Sequence, residues 1–125
     1  MDDRAWKSSF DDLVLPPVFS PDGQRVAAGM RTNGTWGIVV DDQPWRETFD
    51  MVWDPIFNPS GDRVAAKVER DGRYAIAVDG RVWSPWYDAL WEPVFSPDGS
   101  RLLVRAVEHG AYLRHVVPFD SAFRV

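Results

Sequence analysis

The chain has 125 residues, a net charge of −5 and no cysteine. The acidic balance argues against a nucleic-acid or anionic-membrane partner, since both select for basic surface. The missing thiols exclude disulfides, thiolate metal sites and a cysteine nucleophile, and no apolar run approaches the roughly 18 residues of a membrane-spanning helix.

The first segment, "MDDRAWKSSF", is acidic and lacks an apolar core, so no secretory signal is read and a cytoplasmic location is expected. Next, "AWKSSFDD" (5–12) resembles "PWRETFDM" (44–51), with Trp6 matching Trp45 and Phe10 matching Phe49. This predicts an outer strand around Trp6 at the very start of the chain. Then comes "PVFSPDGQRV" (17–26), an apolar run, a Ser-Pro-Asp-Gly turn and a second apolar run. The phrase returns as "PIFNPSGDRV" (55–64) and "PVFSPDGSRL" (93–102). Phe19, Phe57 and Phe95 are spaced by 38 and 38, and Gly23, Gly61, Gly99 and Arg25, Arg63, Arg101 keep that register. So do Trp36, Tyr74, Tyr112 and Asp12, Asp50, Asp88. An internal repeat of this kind marks a repeat architecture.

The middle unit reads as four short strands. "WDPIF" is the first, and "NPSGD" is a turn in which glycine takes a positive φ. "RVAAKVE" is the second strand, "RDG" a tight hairpin turn, "RYAIAVD" the third strand and "GRVW" the start of the fourth. Turn signals at about 8–12-residue spacing, with no capped helical period, predict an all-β chain. First strands are expected near 15–20, 53–58 and 91–96, in one domain covering residues 1–125. Phe57, with Phe19 and Phe95 as its equivalents, is expected to be buried between repeats.

"VFSPDGQRVAAGM", "IFNPSGDRVAAKV" and "VFSPDGSRLLVRA" resemble the WD40-like blade of TolB-type β-propellers. The resemblance covers nearly the whole chain. It implies four-stranded blades whose first strand lies innermost, beside a central channel, and it implies nothing catalytic. The stretch "AVDGRVWSPWYDALWEPVFSPDG" is also similar, in being tryptophan-rich, to the cytoplasmic subunit of a transmembrane redox complex of sulfate-reducing bacteria. That likeness implies an interaction subunit of an electron-transfer complex that carries no cofactor of its own.

Three blades do not close a ring, since propellers run from about four to eight. Open end blades expose faces built to pack on neighbours. Two copies make six blades, so a homodimer closing a six-bladed ring is expected; the alternative is an excised or engineered propeller fragment. The last repeat lacks a tryptophan equivalent to Trp45 and Trp83, so Trp6 of another chain is expected to supply its outer strand. The partners expected are a second copy and other protein subunits, with no nucleic acid and no membrane insertion.

The chemistry-bearing residues reduce to a short set. The Ser-Pro-Asp-Gly turns fail the sialidase Asp-box, which needs a following Thr-Trp, and supply too few oxygens for calcium. Their plain reading is a β-turn. The arginine that opens each second strand could form an anion site, but is expected rather to pair with turn acids or backbone carbonyls. His109 and His115 are too few for a metal cluster, and the serines lack a nucleophile-elbow context. No enzyme activity, metal or cofactor is expected. Asp12, Asp50 and Asp88 each stand seven residues before the repeat phenylalanine, with Asp54 and Glu92 nearby. In a ring they would line one channel mouth as a binding site; alternatively each caps its own loop through an Asx-type bond. Trp86 has no tryptophan one repeat earlier, where Thr48 stands, and is the candidate exposed aromatic.

Overall fold

The computed structural model describes residues 15–118. They form three antiparallel sheets of 13 short strands, with no helix among the described residues. The first sheet runs β1 (Val18–Phe19), β2 (Val26–Thr32), β3 (Thr35–Val40), β4 (Gln43–Pro44), each strand bonded to the next. The second has β5 (Met51–Val52) and β6 (Ile56–Phe57) on one edge of β7 (Val64–Arg70), then β8 (Arg73–Val78) and β9 (Arg81–Val82). The third repeats this with β10 (Ala89–Leu90), β11 (Val94–Phe95), β12 (Arg101–Glu108) and β13 (Ala111–Pro118).

The expected first strands are present but broken. Val52 faces Val68 and Ile56 faces Ala65, so the edge carries one residue more than its partner across that step. Pro55 sits in the break; it has no N–H to give the ladder, and a bulge absorbs it. The third sheet repeats the break around Pro93, where Leu90 faces Ala106 and Val94 faces Leu103. In the first sheet, the Leu15 N–H bonds the Gly29 carbonyl at 2.8 Å and pairing resumes only at Val18–Ala27, past Pro16 and Pro17.

Two-residue turns close the hairpins. Asn33–Gly34, Asp71–Gly72, Asp79–Gly80 and His109–Gly110 all have both φ angles positive. That is the turn whose twist suits paired strands, and asparagine, aspartate and glycine adopt it at least cost.

Alternation along the strands gives the second sheet two apolar faces. From the first sheet, Ala27, Trp36, Ile38 and Val40 pack against Val52, Val64, Ala66 and Val68 of the second. On the other face of the second sheet, Ala65, Ile76 and Val78 pack against Leu90, Leu102, Val104 and Ala106 of the third. The three sheets are thus stacked by two seams of the same construction. Gly29 lets the first seam close: a Cβ there would lie 3.0 Å from a methyl of Val52.

The phenylalanine expectation needs correcting. Phe57 and Phe95 are half-buried and pack into the first and second seam, but Phe19 is 48% exposed. The three are equivalent in sequence, yet each packs against the preceding sheet, and no described sheet precedes the first.

Candidate functional site

The repeated Ser-Pro-Asp-Gly turns, the repeated arginine and the repeated aspartates all concern the ends of the sheets. At the turn end, the Gly23 N–H bonds the Ser20 carbonyl at 2.9 Å, and Gly23 takes φ 73°. Ser20 Oγ donates to Asp22 Oδ1 at 2.7 Å, and the Gln24 N–H donates to the same oxygen at 2.9 Å. The third turn repeats this, with Ser96 Oγ and the Ser100 N–H on Asp98 Oδ1 at 2.7 and 3.0 Å. The second turn reaches the same end by another route. Its carboxylate comes after the glycine, and Asp62 Oδ1 accepts from Ser60 Oγ at 2.6 Å and Asn58 Nδ2 at 2.7 Å.

These bonds hold all three carboxyls below their ordinary range. Asp98 is lowered to about 2, first by the Ser100 backbone N–H and then by the serine hydroxyls. Asp22 is lowered first by the Gln24 N–H, and Asp62 first by the Ser60 hydroxyl. A carboxylate that accepts two or three donors favours its charged form. The turns are therefore structural devices, as their plain reading has it.

The first of the strand-start arginines joins one sheet to the next. Arg25 Nε donates to Asp41 Oδ2 at 2.8 Å within its own sheet. Its Nη1 donates to the Gly61 carbonyl at 2.7 Å in the second sheet, and its guanidinium lies 5.5 Å over the Phe57 ring. Arg63 makes the matching bond to Asp79 at 3.0 Å. A groove of about 350 Å³ opens beside Arg25, lined by Asp41, Trp45 and Asp79 among others. Its charged side chains are occupied: Arg25 and Asp41 by each other, and Asp79 by Arg63 and the Val64 N–H.

Two of the three repeated aspartates are described, and each bonds a turn. Asp50 Oδ2 accepts the Asp71 N–H at 2.8 Å, and Asp88 Oδ2 accepts the His109 N–H at 2.9 Å. Each caps the two-residue turn of its own repeat, 21 residues on, where Asp71 and His109 hold positive φ. Capping by aspartate was one of the two open readings; the loop capped is a distant one. Asp54 and Glu92 are exposed, and the Glu92 carbonyl accepts from Arg105 at 3.5 Å. Asp12 and Trp6 lie outside the described residues.

One further cluster was not singled out. Ligand-type atoms of Asp88, Glu108 and His109 lie within 4.8 Å of one another. A cation already serves this cluster: Arg73 Nη2 bonds both Glu108 oxygens at 2.7 Å and stands 3.4 Å from Asp88. The signal available in the sequence was the Asp-to-turn register, but nothing in the spacing foretold Arg73.

Trp86 is half-buried rather than exposed, packed against the first seam with the Arg70 guanidinium 5.4 Å over its ring. Among the described residues the exposed large hydrophobics are Phe19 at one end and Trp91, Val94, Tyr112 and Val116 at the other. The last four lie on or beside the outer face of the third sheet. Trp91 and Tyr112 touch edge to face, with centroids 5.8 Å apart. One repeat earlier, Trp53 and Tyr74 make the same contact at 6.0 Å, half-buried, and Lys67 lies 4.3 Å over the Trp53 ring. Burial pushes the Lys67 ammonium below its ordinary value.

Comparison with known proteins finds no matching family model and no matching curated relative. No helix of the described residues is long and apolar enough to cross a membrane.

Proposed function

We propose that the chain is a non-enzymatic scaffold whose sheets are β-propeller blades, a protein-interaction module that associates with itself to complete a ring. Two copies bring six blades, which makes a dimer the expected unit.

The observation that carries this reading is the outer face of the third sheet. Val94 and Val116 are 48% and 49% exposed there. Their equivalents one repeat earlier are Ile56, half-buried against the second seam, and Val78, which is 7% exposed. The same positions that bury a neighbour in the middle of the stack are bare at its end. Such a patch is a docking surface in proteins built of stacked units. A binding role is also favoured over catalysis by the charged groups around the groove, which are occupied in holding turns and seams together.

The test is the solution mass at micromolar concentration by light scattering. A mass twice the 14.2 kDa of the chain is expected. A monomer at that concentration overturns the self-association reading.

A further inference from the structure

The two seams share a stacking of their turns, the first seam adds an arginine contact beside it, and the ends of the stack hold the unmatched halves. In the first seam, Arg25 bonds the Gly61 carbonyl and covers Phe57. The turns also stack. A Cβ on Gly61 would stand 3.3 Å from Ser20 Cβ, and one on Gly99 would stand 3.1 Å from Pro59 Cδ and 3.7 Å from Asn58 Cβ. Gly61 and Gly99 are the places where the preceding turn rests.

At the outer end, Arg101 is the third arginine of the set. Val117 stands where the other two sheets have Asp41 and Asp79. The Arg101 side chain is exposed and makes no hydrogen bond or ion pair among the described residues. At the opposite end, Phe19 is 48% exposed, and a Cβ on Gly23 would meet nothing within 4 Å. Among the described residues, one end thus has an arginine and a turn without a neighbouring sheet to rest on, and the other has a half-exposed ring and a turn glycine on which no turn rests.

We propose that the occupant of the third sheet's outer face is the first sheet of a second copy, docked head to tail. Arg101 of one copy bonds the Gly23 carbonyl and covers the Phe19 ring of the next, and Ser96 rests on Gly23. This rests on the self-association reading and adds its register. The contact lies at the turn end, beside Val94 and Val116, because Ala28, Met30 and Val39 on the first sheet's face are already buried within one chain. Charge selects this arrangement over a back-to-back one. Arg105 and Arg114 are cross-strand partners on the outer face. Two such faces pressed together would bring four guanidiniums into one seam, and like charges so placed repel. A heterologous contact avoids that and closes when two copies exchange it.

The chain has no cysteine, so introduced thiols report geometry without background. The Cβ gap between stacked turns is 3.7 Å at Gly99, within the roughly 3.5–4.5 Å of a disulfide, and 3.3 Å at Gly61, just short of it. Two single variants, Gly23→Cys and Ser96→Cys, are mixed under mild oxidation. Cross-linked chains of twice 14.2 kDa are expected from the mixture and not from either variant alone. Asn58→Cys with Gly99→Cys, which places a thiol at the same strained glycine position, is expected to close within one chain. If that control closes while the mixture yields no cross-link beyond the single variants, the head-to-tail register is overturned. A dimeric mass in that case leaves self-association standing; a monomeric mass removes both. If the control stays open, the stacking of turns from which the register derives is wrong. Arg101→Glu avoids the turns altogether. It is expected to weaken association at least tenfold while leaving the melting of dilute chain unchanged, and unaltered association overturns the proposal.

Discussion

The second and third sheets are built from the same repeat, yet one is packed on both faces and the other on one. Ile76 at the centre of the second sheet's far face is fully buried, whereas Arg114 holds the equivalent place in the third and is exposed. Ala65 and Val78 beside Ile76 are buried; Val116, the counterpart of Val78, is half exposed. A repeat therefore does not define burial by itself. Burial belongs to a seam, and a seam needs a face from each of two neighbours. The third sheet's single covered face also explains why it tolerates arginine where the first two repeats carry isoleucine.

The sharpest way to break that comparison is to truncate the central residue in both places. Ile76→Ala removes a fully buried side chain from the second seam and is expected to cost about 3–4 kcal/mol, within the range for cavity-forming core changes. Arg114→Ala is expected to stay within about 0.5 kcal/mol, as for a surface change. Both are read from denaturant melts at concentrations where the chain is monomeric. Comparable losses at the two positions would mean that the third sheet's outer face is covered within one chain.

A smaller contrast lies in the arginines. Arg25→Ala removes an ion pair, a bond to the Gly61 carbonyl and the cover over Phe57. The ion pair is more than one-third exposed on both sides, so solvent leaves little of its attraction. The charged bond to a carbonyl is the larger part, and the total is expected near 1–2 kcal/mol. Arg101→Ala is expected to leave the dilute chain's melting unchanged, since that side chain bridges nothing among the described residues. Equal effects would remove the distinction between an arginine with a neighbouring sheet and one without.

Those arginines show what could and could not be read from the sequence. The 38-residue register, the turns and the alternation within strands were legible, because each depends on a few neighbouring residues. The all-β class followed from them. What escaped depended on position in the stack. Phe19, Phe57 and Phe95 are one residue type in one register, but among the described residues only Phe57 and Phe95 meet a sheet on the side they face. Trp86 looked free because it fails to recur; in fact Arg70, from the second sheet, lies over it. The breaks at Pro55 and Pro93 could have been foreseen from the missing N–H. The capping of distant turns by Asp50 and Asp88 needed the strand register first.

The turn end should also separate from the seams by its response to acid. Asp22, Asp62 and Asp98 lie below their ordinary value of 3.8 because the folded turns supply donors that the unfolded chain lacks. A folded pKa below the unfolded one stabilises the fold above the unfolded value and loses that effect as pH falls through the folded value. Stability is therefore expected to drop between pH 4 or so and the folded value of Asp98, about 2. Asp98→Asn should flatten part of this drop in acid titrations followed by tryptophan fluorescence, while Ile76→Ala should shift the whole curve without changing its shape. An acid limb identical in wild type and Asp98→Asn would show that the turn bonds do not stabilise the fold.

The smallest expected effect has the opposite sign, and it tests how closely the two seams correspond. Phe49 bridges to Trp36 in the first sheet, and Tyr87 bridges to Tyr74 at the matching place in the second. Both are 2% exposed. The phenylalanine brings no polar atom, whereas the Tyr87 hydroxyl is buried with no hydrogen-bond partner among the described residues. A buried hydroxyl without a partner gives up its hydration for nothing, so Tyr87→Phe is expected to stabilise the chain by a few tenths to about 1 kcal/mol. Burial also raises the Tyr87 phenol above its ordinary value, and Glu108 adds to the rise. The folded protein thus resists ionisation that the unfolded chain allows. Its stability should fall as pH climbs from about 10 toward the folded value, and this alkaline limb should be shallower in Tyr87→Phe. A destabilised Tyr87→Phe variant with an unchanged alkaline limb would mean that the hydroxyl has a partner, and that the second seam is joined by a polar contact that the first, with Phe49, does without.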